Sequence, residues 1–295
     1  MRLLVTGAQG QLGSEFVESA RTRGLHTVAL SHADCDIRDT TAVAAMLDAH
    51  AVDALVNCAA WTDVDGAESH RQEAYAVNAV APGMLAVECA RRAVMLVHLS
   101  TDYVFDGAAT TAVDEEAPAV PRSVYGTSKL AGEEAIRATG PRHLIVRTSG
   151  LYGRDGPNFV LTVLQRAAAE GELRVVADQV TSPTWTAHLA GALVRLLEHR
   201  AVGTYHVTGS GSTSWDRLAA TAVELAGLPA TVRPISSEEL GAPAPRPHHV
   251  VLANSAWRRL GEPPLPQWQT GLSSYIADLR RRGRLPRAAG RLRTA

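Results

Sequence analysis

The chain has 295 residues, of which 46% are hydrophobic and 20% are charged, and its formal net charge is −1. This length supports a large buried core and excludes a small disulfide-stapled domain, and the near-neutral charge argues against a broad basic face for nucleic acid or membranes. The charge is uneven, because seven arginines and no acidic residue follow Asp278. We therefore expect an Arg-rich, disordered tail at 281–295, with a polyanion-binding arm as the alternative.

Three cysteines, Cys35, Cys58 and Cys89, cannot all pair with one another, and none has the spacing of a zinc site. Free thiols in a reducing compartment are the simplest interpretation. The opening residues leave no room for a secretory signal, and no apolar run reaches the roughly 18 residues that span a bilayer. We expect a cytoplasmic monomer or homodimer with no bound metal and no nucleic-acid or membrane partner.

Short apolar runs rich in Val, Leu and Ile alternate with helical patterns through the first half of the chain. Segments with helical spacing cover 12–20 and 74–89, and Pro82 breaks the second one. Strands separated by helices predict an α/β fold with a doubly wound parallel sheet of the Rossmann type. The expected strands are Leu3–Thr6, Thr27–Leu30, Ala54–Asn57, Val94–Leu99 and His143–Arg147.

The composition changes after about residue 150, where prolines and four of the five tryptophans concentrate. We predict a first domain over 1–150, completed by return segments from the C-terminal half, and a smaller lobe over 151–280. A strand over 173–176 is expected to extend the sheet.

A glycine turn follows the first strand and opens the first helix. Gly7, Gly10 and Gly13 allow a tight turn, close approach of the backbone to a pyrophosphate, and close packing of helix against strand. The helix N-terminus adds N–H groups and a positive dipole for the phosphates. The pattern predicts that the first domain binds a dinucleotide, although its GxxGxxG spacing differs from GxGxxG.

The end of the second strand bears on the choice of dinucleotide. An acidic residue there would hold the 2′-hydroxyl of NAD, but this chain has Leu30-Ser31-His32. Ser31 and His32 could donate to a 2′-phosphate, which favours NADPH over NADH. Asp36 and Ile37 suit the adenine edge, although Asp36 could instead cap the next helix. Small residues at Ala59 and Ala60 would let a cofactor lie against the chain.

A tyrosine and a lysine lie four positions apart at the start of a predicted helix, so Tyr125 and Lys129 share one face. A tyrosine with a pKa of about 10 is a poor acid–base group at neutral pH. A neighbouring ammonium lowers that pKa and can also bond ribose hydroxyls, which a guanidinium does less readily. Lys129 is the only lysine among 29 basic residues. With Thr101, which follows the fourth strand, these residues predict a proton-transfer site.

At these residues the chain resembles the extended short-chain dehydrogenase/reductase superfamily and, within it, the dTDP-4-dehydrorhamnose reductase family. The resemblance covers essentially residues 1–280, and STDYVF from residue 100 and LPQW at 265–268 are specific to this branch. The other matching segments are GAQGQLG at 7–13, CDIRD at 35–39, VNCAAWTDVDGAE at 56–68, VN at 77–78, VYGTSKLAGE at 124–133, RTSGLYG at 147–153, NF at 158–159, DQVTSPT at 178–184 and GTYHVTGSGSTSW at 203–215.

The resemblance implies NADPH- or NADH-dependent reduction of the C4 ketone of a dTDP-6-deoxy-4-ketohexose, dTDP-4-dehydrorhamnose or a close relative. Tyr125 would protonate the alkoxide, Lys129 would tune Tyr125 and hold the ribose, and Thr101 would bond the carbonyl oxygen. The second lobe would bind the sugar. The cofactor-binding residues would be Gly7, Gly10, Gln11, Leu12, Gly13, Ser31, Asp36, Ile37, Ala59, Ala60, Trp61, Thr62, Asn78, Tyr125 and Lys129. The substrate-binding residues would be Thr101, Asp102, Gly150, Asn158 and Arg246.

Two departures from the family pattern bear on the sugar. The family usually has tryptophan where this chain has Gly150, and glycine where it has Thr181. A roomier pocket at Gly150 would suit a sugar with a different C2 or C3 pattern, which leaves open a 4-ketoreductase for another dTDP-deoxysugar in antibiotic biosynthesis.

Other activities and several individual residues have competing interpretations. A 4,6-dehydratase would need an acid after Asp102, where this chain has Tyr103, and a 4-epimerase would retain its NAD. A non-catalytic NADP-binding regulatory subunit is the other alternative, which the intact catalytic set disfavours. Arg246 could clamp a pyrophosphate or form a surface salt bridge. His98 is better explained as a core histidine than as a proton shuttle.

Overall fold

The computed structural model describes residues 1–140 and 142–287. The strands are β1 Arg2–Thr6, β2 His26–Leu30, β3 Ala54–Asn57, β4 Met95–Thr101, β5 His143–Thr148, β6 Leu151–Tyr152, β7 Glu172–Val176, β8 Val180–Thr181, β9 Thr184–Trp185, β10 Gly203–His206, β11 Thr213–Ser214 and β12 Thr231–Ile235. The α-helices are α1 Gln11–Thr22, α2 Thr40–His50, α3 Val64–Ser69, α4 Arg71–Tyr75, α5 Ala81–Arg91, α6 Val124–Ala138, α7 Phe159–Ala169, α8 Thr186–Glu198, α9 Trp215–Ala226, α10 Ser237–Leu240, α11 Ser255–Arg259 and α12 Trp268–Arg281.

Six parallel strands form the central sheet, in the order β10-β5-β4-β3-β1-β2. The strands bury side chains on both faces, because a parallel sheet is covered by helices on each side. One face packs against α1 and α8, and the other against α2, α5 and α6. The doubly wound α/β fold predicted from the sequence is confirmed, and the five predicted strands agree with β1 to β5 within two residues.

The predicted helix over 74–89 contains a break one turn before its proline. α4 continues through a π-helical turn, Ala76–Val80, into α5. Pro82 has no N–H to donate to the Asn78 carbonyl four residues earlier, so regular helical bonding cannot continue there. α6 packs tightly on this turn, since a Cβ at Gly132 would lie 2.1 Å from the Asn78 carbonyl oxygen.

The second half of the chain divides between the sheet and a smaller lobe. β10 is a strand of the central sheet and α8 packs against one face of that sheet, whereas α7, α9 and α12 pack in separate apolar clusters. The expected strand over 173–176 is present within β7, but the prediction that it extends the sheet is wrong. It pairs in parallel with β12 in a separate two-stranded sheet, because β10 is the strand that pairs with β5.

The predicted Arg-rich tail begins at the end of α12, and its residues 288–295 lie outside the described part of the chain. Within the described part, Arg284 donates a hydrogen bond to Asp155 at 3.1 Å. None of the helices within 1–140 and 142–287 combines enough length and hydrophobicity to span a bilayer.

Candidate active site

The glycine turn between β1 and α1 is packed so closely that side chains do not fit. Gly7 has φ +67°, and a Cβ there would lie 2.7 Å from the backbone nitrogen of Ala59. A Cβ at Gly13 would lie 2.2 Å from the Gly7 carbonyl oxygen. Gly10 is the N-cap of α1 and supplies no side-chain cap, so the helix N-terminus presents backbone N–H groups. This turn can approach a phosphate closely.

A cavity of about 910 Å³ extends from this turn across the carboxyl ends of the strands. This is where ligands bind in open parallel sheets. Most of the predicted site residues line it, which brings the two ends of the predicted site together. Its lining includes Gly7, Gly10, Gln11, Leu12, Asp36, Ile37, Ala59, Ala60, Trp61, Thr62, Thr101, Asp102, Tyr125, Lys129 and Gly150.

The end of the cavity beside β2 is lined by charged and polar side chains. His32 and Asp36 are part of the lining, but Ser31 is not, because it is buried and its hydroxyl donates to Asp34 at 2.6 Å. Arg38, which the sequence analysis missed, also lines the cavity and donates to Asp36 at 2.5 Å. This hydrogen bond lowers the pKa of Asp36 to about 2. The N-cap of α2 is Asp39, which rules out Asp36 in that role.

Asn78 lies behind the cavity wall, outside its lining, and fixes the loop that follows β3. Its side chain accepts from the Trp61 backbone nitrogen at 2.9 Å and donates to the Trp61 carbonyl at 3.0 Å. It also donates to the Ser128 hydroxyl at 3.1 Å, on α6. The π-helical turn therefore links the loop at 59–62 to the helix that carries Tyr125 and Lys129.

α6 carries two of the three predicted catalytic residues and begins beside the third. Ser123 caps α6 by accepting from the Gly126 backbone nitrogen at 3.1 Å, which places Tyr125 in the first turn. The Tyr125 phenol lies close to the Thr101 hydroxyl, and burial raises the pKa of Tyr125. Thr101 in turn donates to Asp102 at 3.1 Å. The phenol is therefore protonated at neutral pH when no cation stabilises its anion.

The Lys129 amine is buried at the floor of the same cavity, with 2% of the residue exposed. Its Nζ donates to the Leu99 carbonyl at 2.6 Å and lies 3.3 Å from Nε2 of His98. Burial lowers the pKa of Lys129 to about 8, against the opposing charge of Glu133. His98 is a buried histidine with partners, as expected, but one of those partners is the candidate catalytic amine.

The two positions at which this chain departs from the family pattern touch each other. Gly150 has φ +54°, and a Cβ there would lie 3.1 Å from Oγ1 of Thr181. The Thr181 hydroxyl lies 2.6 Å from the Ser149 hydroxyl, which donates to Asp102 at 2.6 Å. Burial raises the pKa of Asp102 to about 6. Thr181 therefore occupies space beside Gly150 and completes a polar chain to Asp102.

Two predicted substrate residues lie outside the cavity lining. Asn158 caps α7 and donates to the Gly153 carbonyl at 2.8 Å. Arg246 pairs with Asp65 at 2.8 Å and lies close to the phenol of Tyr103, which lines the cavity. The structure thus places Arg246 one side chain away from the cavity.

Two aromatic side chains of the second lobe line the cavity and were missed by the sequence analysis. Phe159 and Trp215 pack edge to face with their ring centroids 4.6 Å apart. Each belongs to a segment that carries the family resemblance, NF at 158–159 and GSTSW at 211–215, so those segments contained a signal that residue types alone did not single out.

Comparisons with known proteins agree with this geometry. The family model described as RmlD substrate binding domain matches residues 1–281. The chain is 43% identical to a dTDP-4-dehydrorhamnose reductase of Streptomyces griseus, over 96% of each chain. It is 42% identical to a probable dTDP-4,6-dihydroxy-2-methyloxan-3-one 4-ketoreductase of Streptomyces antibioticus, over 95% of this chain and 96% of that one.

Among solved structures, the chain is similar to a dTDP-4-dehydrorhamnose reductase of Bacillus anthracis in complex with NADP, with a TM-score of 0.92 and 35% identity. That likeness covers 94% of this chain and 99% of the other.

Proposed function

This chain belongs to the RmlD substrate binding domain family, that of the dTDP-4-dehydrorhamnose reductases, and we propose from this premise that it reduces the C4 ketone of a dTDP-6-deoxy-4-ketohexose with NAD(P)H. The observation that carries the proposal is one cavity lined both by Gly7 and Gly10 of the glycine turn and by the Thr101–Tyr125–Lys129 set. A binding module has no need of a phenol and a buried amine in the same cavity.

The residues present fit a nicotinamide dinucleotide. Gly7, Gly10 and Gly13 leave room for a pyrophosphate at the N-terminus of α1. Gln11 Oε1 and Thr148 Oγ1, in residues that line the cavity, are buried and have no hydrogen-bond partner within 1–140 and 142–287, so a bound molecule would satisfy them. When bound, the cofactor supplies a hydride to the carbonyl carbon of the sugar.

Tyr125 supplies the proton that this reaction needs. Its phenol O–H donates to the carbonyl oxygen of the sugar as the C4–H bond forms, which leaves a phenolate on Tyr125 and a hydroxyl on the product. Because burial raises the pKa of Tyr125, the phenol holds its proton until that step. The ammonium of Lys129 stabilises the phenolate.

Thr101 and Asp102 orient the sugar. The Thr101 hydroxyl contacts Tyr125 and Asp102, so a carbonyl oxygen that accepts from Tyr125 lies within reach of Thr101. Asp102 is held through its other oxygen by Ser149 and presents a buried carboxyl to the cavity. This arrangement fixes the angle at which the carbonyl meets the phenol.

We assign NADPH as the preferred form of the cofactor. Arg38 and His32 line the end of the cavity beside β2, and a 2′-phosphate there would bond the Arg38 guanidinium. Residues 1–150, with α8 and β10, would hold the dinucleotide, and 151–280 would bind the sugar nucleotide through the lobe that contributes Phe159 and Trp215.

The contact between Gly150 and Thr181 favours, as a second candidate, a 4-ketoreductase for a dTDP-deoxysugar other than dTDP-4-dehydrorhamnose. Gly150 lines the cavity and lacks the indole that the family usually has at this position, and a Cβ there would lie 3.1 Å from Thr181 Oγ1 and from Pro183 Cα. The two Streptomyces relatives have nearly equal identities to this chain but act, by their names, on different sugars.

A substrate panel tests both candidates. The purified protein is incubated with a series of dTDP-4-ketohexoses and either NADPH or NADH, and each product is identified by NMR. We expect oxidation of NADPH with at least one member and a product reduced at C4. A protein that binds NADPH but reduces no member of the series would contradict the proposed function and support the regulatory alternative.

A further inference from the structure

A row of polar side chains crosses the sheet beneath the cavity and ends at Lys129. Thr6, Asn57 and His98 are direct neighbours in the registers of β1 with β3 and of β3 with β4. The Thr6 hydroxyl donates to Asn57 Oδ1 at 2.8 Å, and Asn57 Nδ2 lies 3.1 Å from His98 Nδ1. His98 Nε2 lies 3.3 Å from Lys129 Nζ, and His98 is 1% exposed.

We propose that His98 is a positioning residue for Lys129. Asn57 fixes the imidazole of His98 as the tautomer that carries its hydrogen on Nε2. This N–H faces the Lys129 amine, holds the amine in place and favours the neutral form of the amine. Only the expected effect on kcat rests on the proposed function. The tautomer of His98 and the protonation of Lys129 can be measured without it.

The orientation of the Asn57 amide determines the tautomer. Its Oδ1 accepts from the backbone N–H of Ala59 at 3.1 Å, and a backbone N–H can only donate. The Nδ2 of Asn57 therefore faces His98, and Nδ1 of His98 must accept. A neutral imidazole that accepts at Nδ1 carries its hydrogen on Nε2. Burial is the larger cause that holds the pKa of His98 well below its ordinary value, and the charge of Lys129 adds to it whenever the amine is protonated, so the ring is neutral in either proton state of Lys129.

The tautomer has a consequence for Lys129. An ammonium has three donors and no lone pair, so it cannot accept from the Nε2–H of His98, whereas a neutral amine can. The other titratable groups near Lys129 are the carboxylate of Glu133, which favours the charged form, and the thiol of Cys58, whose pKa burial raises to about 12. The Leu99 carbonyl, at 2.6 Å, accepts from the amine in either proton state. His98 therefore opposes Glu133, and together with burial it brings the amine to a pKa at which it can release and regain a proton at neutral pH.

The sequence makes Lys129 directly observable, because it is the only lysine of the chain. Protein labelled with [¹³Cε]lysine gives one side-chain signal, and its shift against pH reports the titration of that amine without cofactor or substrate. In His98→Phe an apolar ring keeps the amine buried but removes the N–H. We expect the Lys129 titration to move upward by about one pH unit, a tenfold change in proton affinity.

His188→Phe is the matched control, since it replaces a half-buried histidine that packs against Trp185 outside the cavity lining. The lysine signal should titrate there as in the unsubstituted protein. If the His98→Phe signal titrates at an unchanged or lower pH, the proposal is wrong. The alkaline limb of kcat against pH should follow the lysine titration, whereas a merely structural role of His98 would lower kcat without moving that limb.

A second measurement needs no substitution and therefore no assumption that the variant folds. Long-range ¹H–¹⁵N spectra of the unsubstituted protein distinguish the two neutral tautomers of a histidine. We expect His98 to be protonated at Nε2, and protonation at Nδ1 overturns the proposal. Because neither spectrum requires turnover, a protein that reduced none of the ketohexoses would refute the proposed function and leave this result standing.

Discussion

Gly13→Ala tests whether the glycine turn must pack as closely as the structure shows. The new Cβ would lie 2.2 Å from the Gly7 carbonyl oxygen and 2.9 Å from Cα of Ala8. Both are backbone atoms, so no side chain can rotate away. To restore an ordinary contact of 3.4 Å, the start of α1 must move by about 1.2 Å from the turn.

This displacement should affect the stability of the fold slightly and the affinity for NADPH strongly. Overpacking of this kind costs about 1–3 kcal/mol of stability, which a protein with about 5–15 kcal/mol retains in part. A shift of about 1 Å at a site that orients a ligand costs about 100-fold in function. We therefore expect a folded variant with a Kd for NADPH raised about 100-fold, measured by titration calorimetry, and a Tm lowered by several degrees.

Gly191→Ala is the control for this substitution, because a Cβ there meets nothing within 4 Å and the position lies inside α8. It should leave the Kd for NADPH unchanged and raise the free energy of unfolding by about 0.5–1 kcal/mol, the usual gain for alanine over glycine in a helix. If Gly13→Ala bound NADPH as tightly as Gly191→Ala, the close contact would not be needed for cofactor binding.

Three further predictions concern the rest of the cavity. Tyr125→Phe should bind NADPH within about twofold of the unsubstituted protein but turn over about 10²–10⁴-fold more slowly, and a rate near normal would contradict the proton-donor role. Burial raises the pKa of Asp102 to about 6 in the folded protein, above its unfolded value, so its contribution to stability is present below about pH 4 and is lost as the pH rises to about 6. That shift of about 2 units corresponds to about 3 kcal/mol. The unsubstituted protein should therefore lose up to about 3 kcal/mol of unfolding free energy relative to Asp102→Asn between pH 4 and pH 7. If the difference in unfolding free energy between the two proteins did not depend on pH, the assignment would be refuted. Arg38→Ala should raise the KM for NADPH about tenfold and that for NADH little, while Ser31→Ala changes neither, and equal effects on both cofactors would remove Arg38 from the 2′-phosphate site.

The close agreement of the predicted strands with β1 to β5 has a local cause. Apolar runs of four to seven residues between helical patterns indicate buried parallel strands, and glycines between strand and helix indicate the phosphate turn. Lys129 was singled out by its rarity in the sequence. The predictions that β7 extends the sheet and that Ser31 lines the cofactor site were wrong, because each depended on contacts with other residues that no local pattern indicates. β7 pairs with β12, more than fifty residues away, and Ser31 turns toward Asp34.

The sequence alone determined the order of strands and helices, the glycine turn and the face shared by Tyr125 and Lys129, since each follows from periodicity and turn chemistry within a few residues. Contacts between distant segments came from the tertiary structure. The register of β3 with β4 places Asn57 beside His98, and α6 then brings Lys129 to the same imidazole. Thr181 likewise meets Gly150 only because β8 returns beside this residue of the cavity lining. Such contacts depend on strand pairing and helix packing, which no local pattern records.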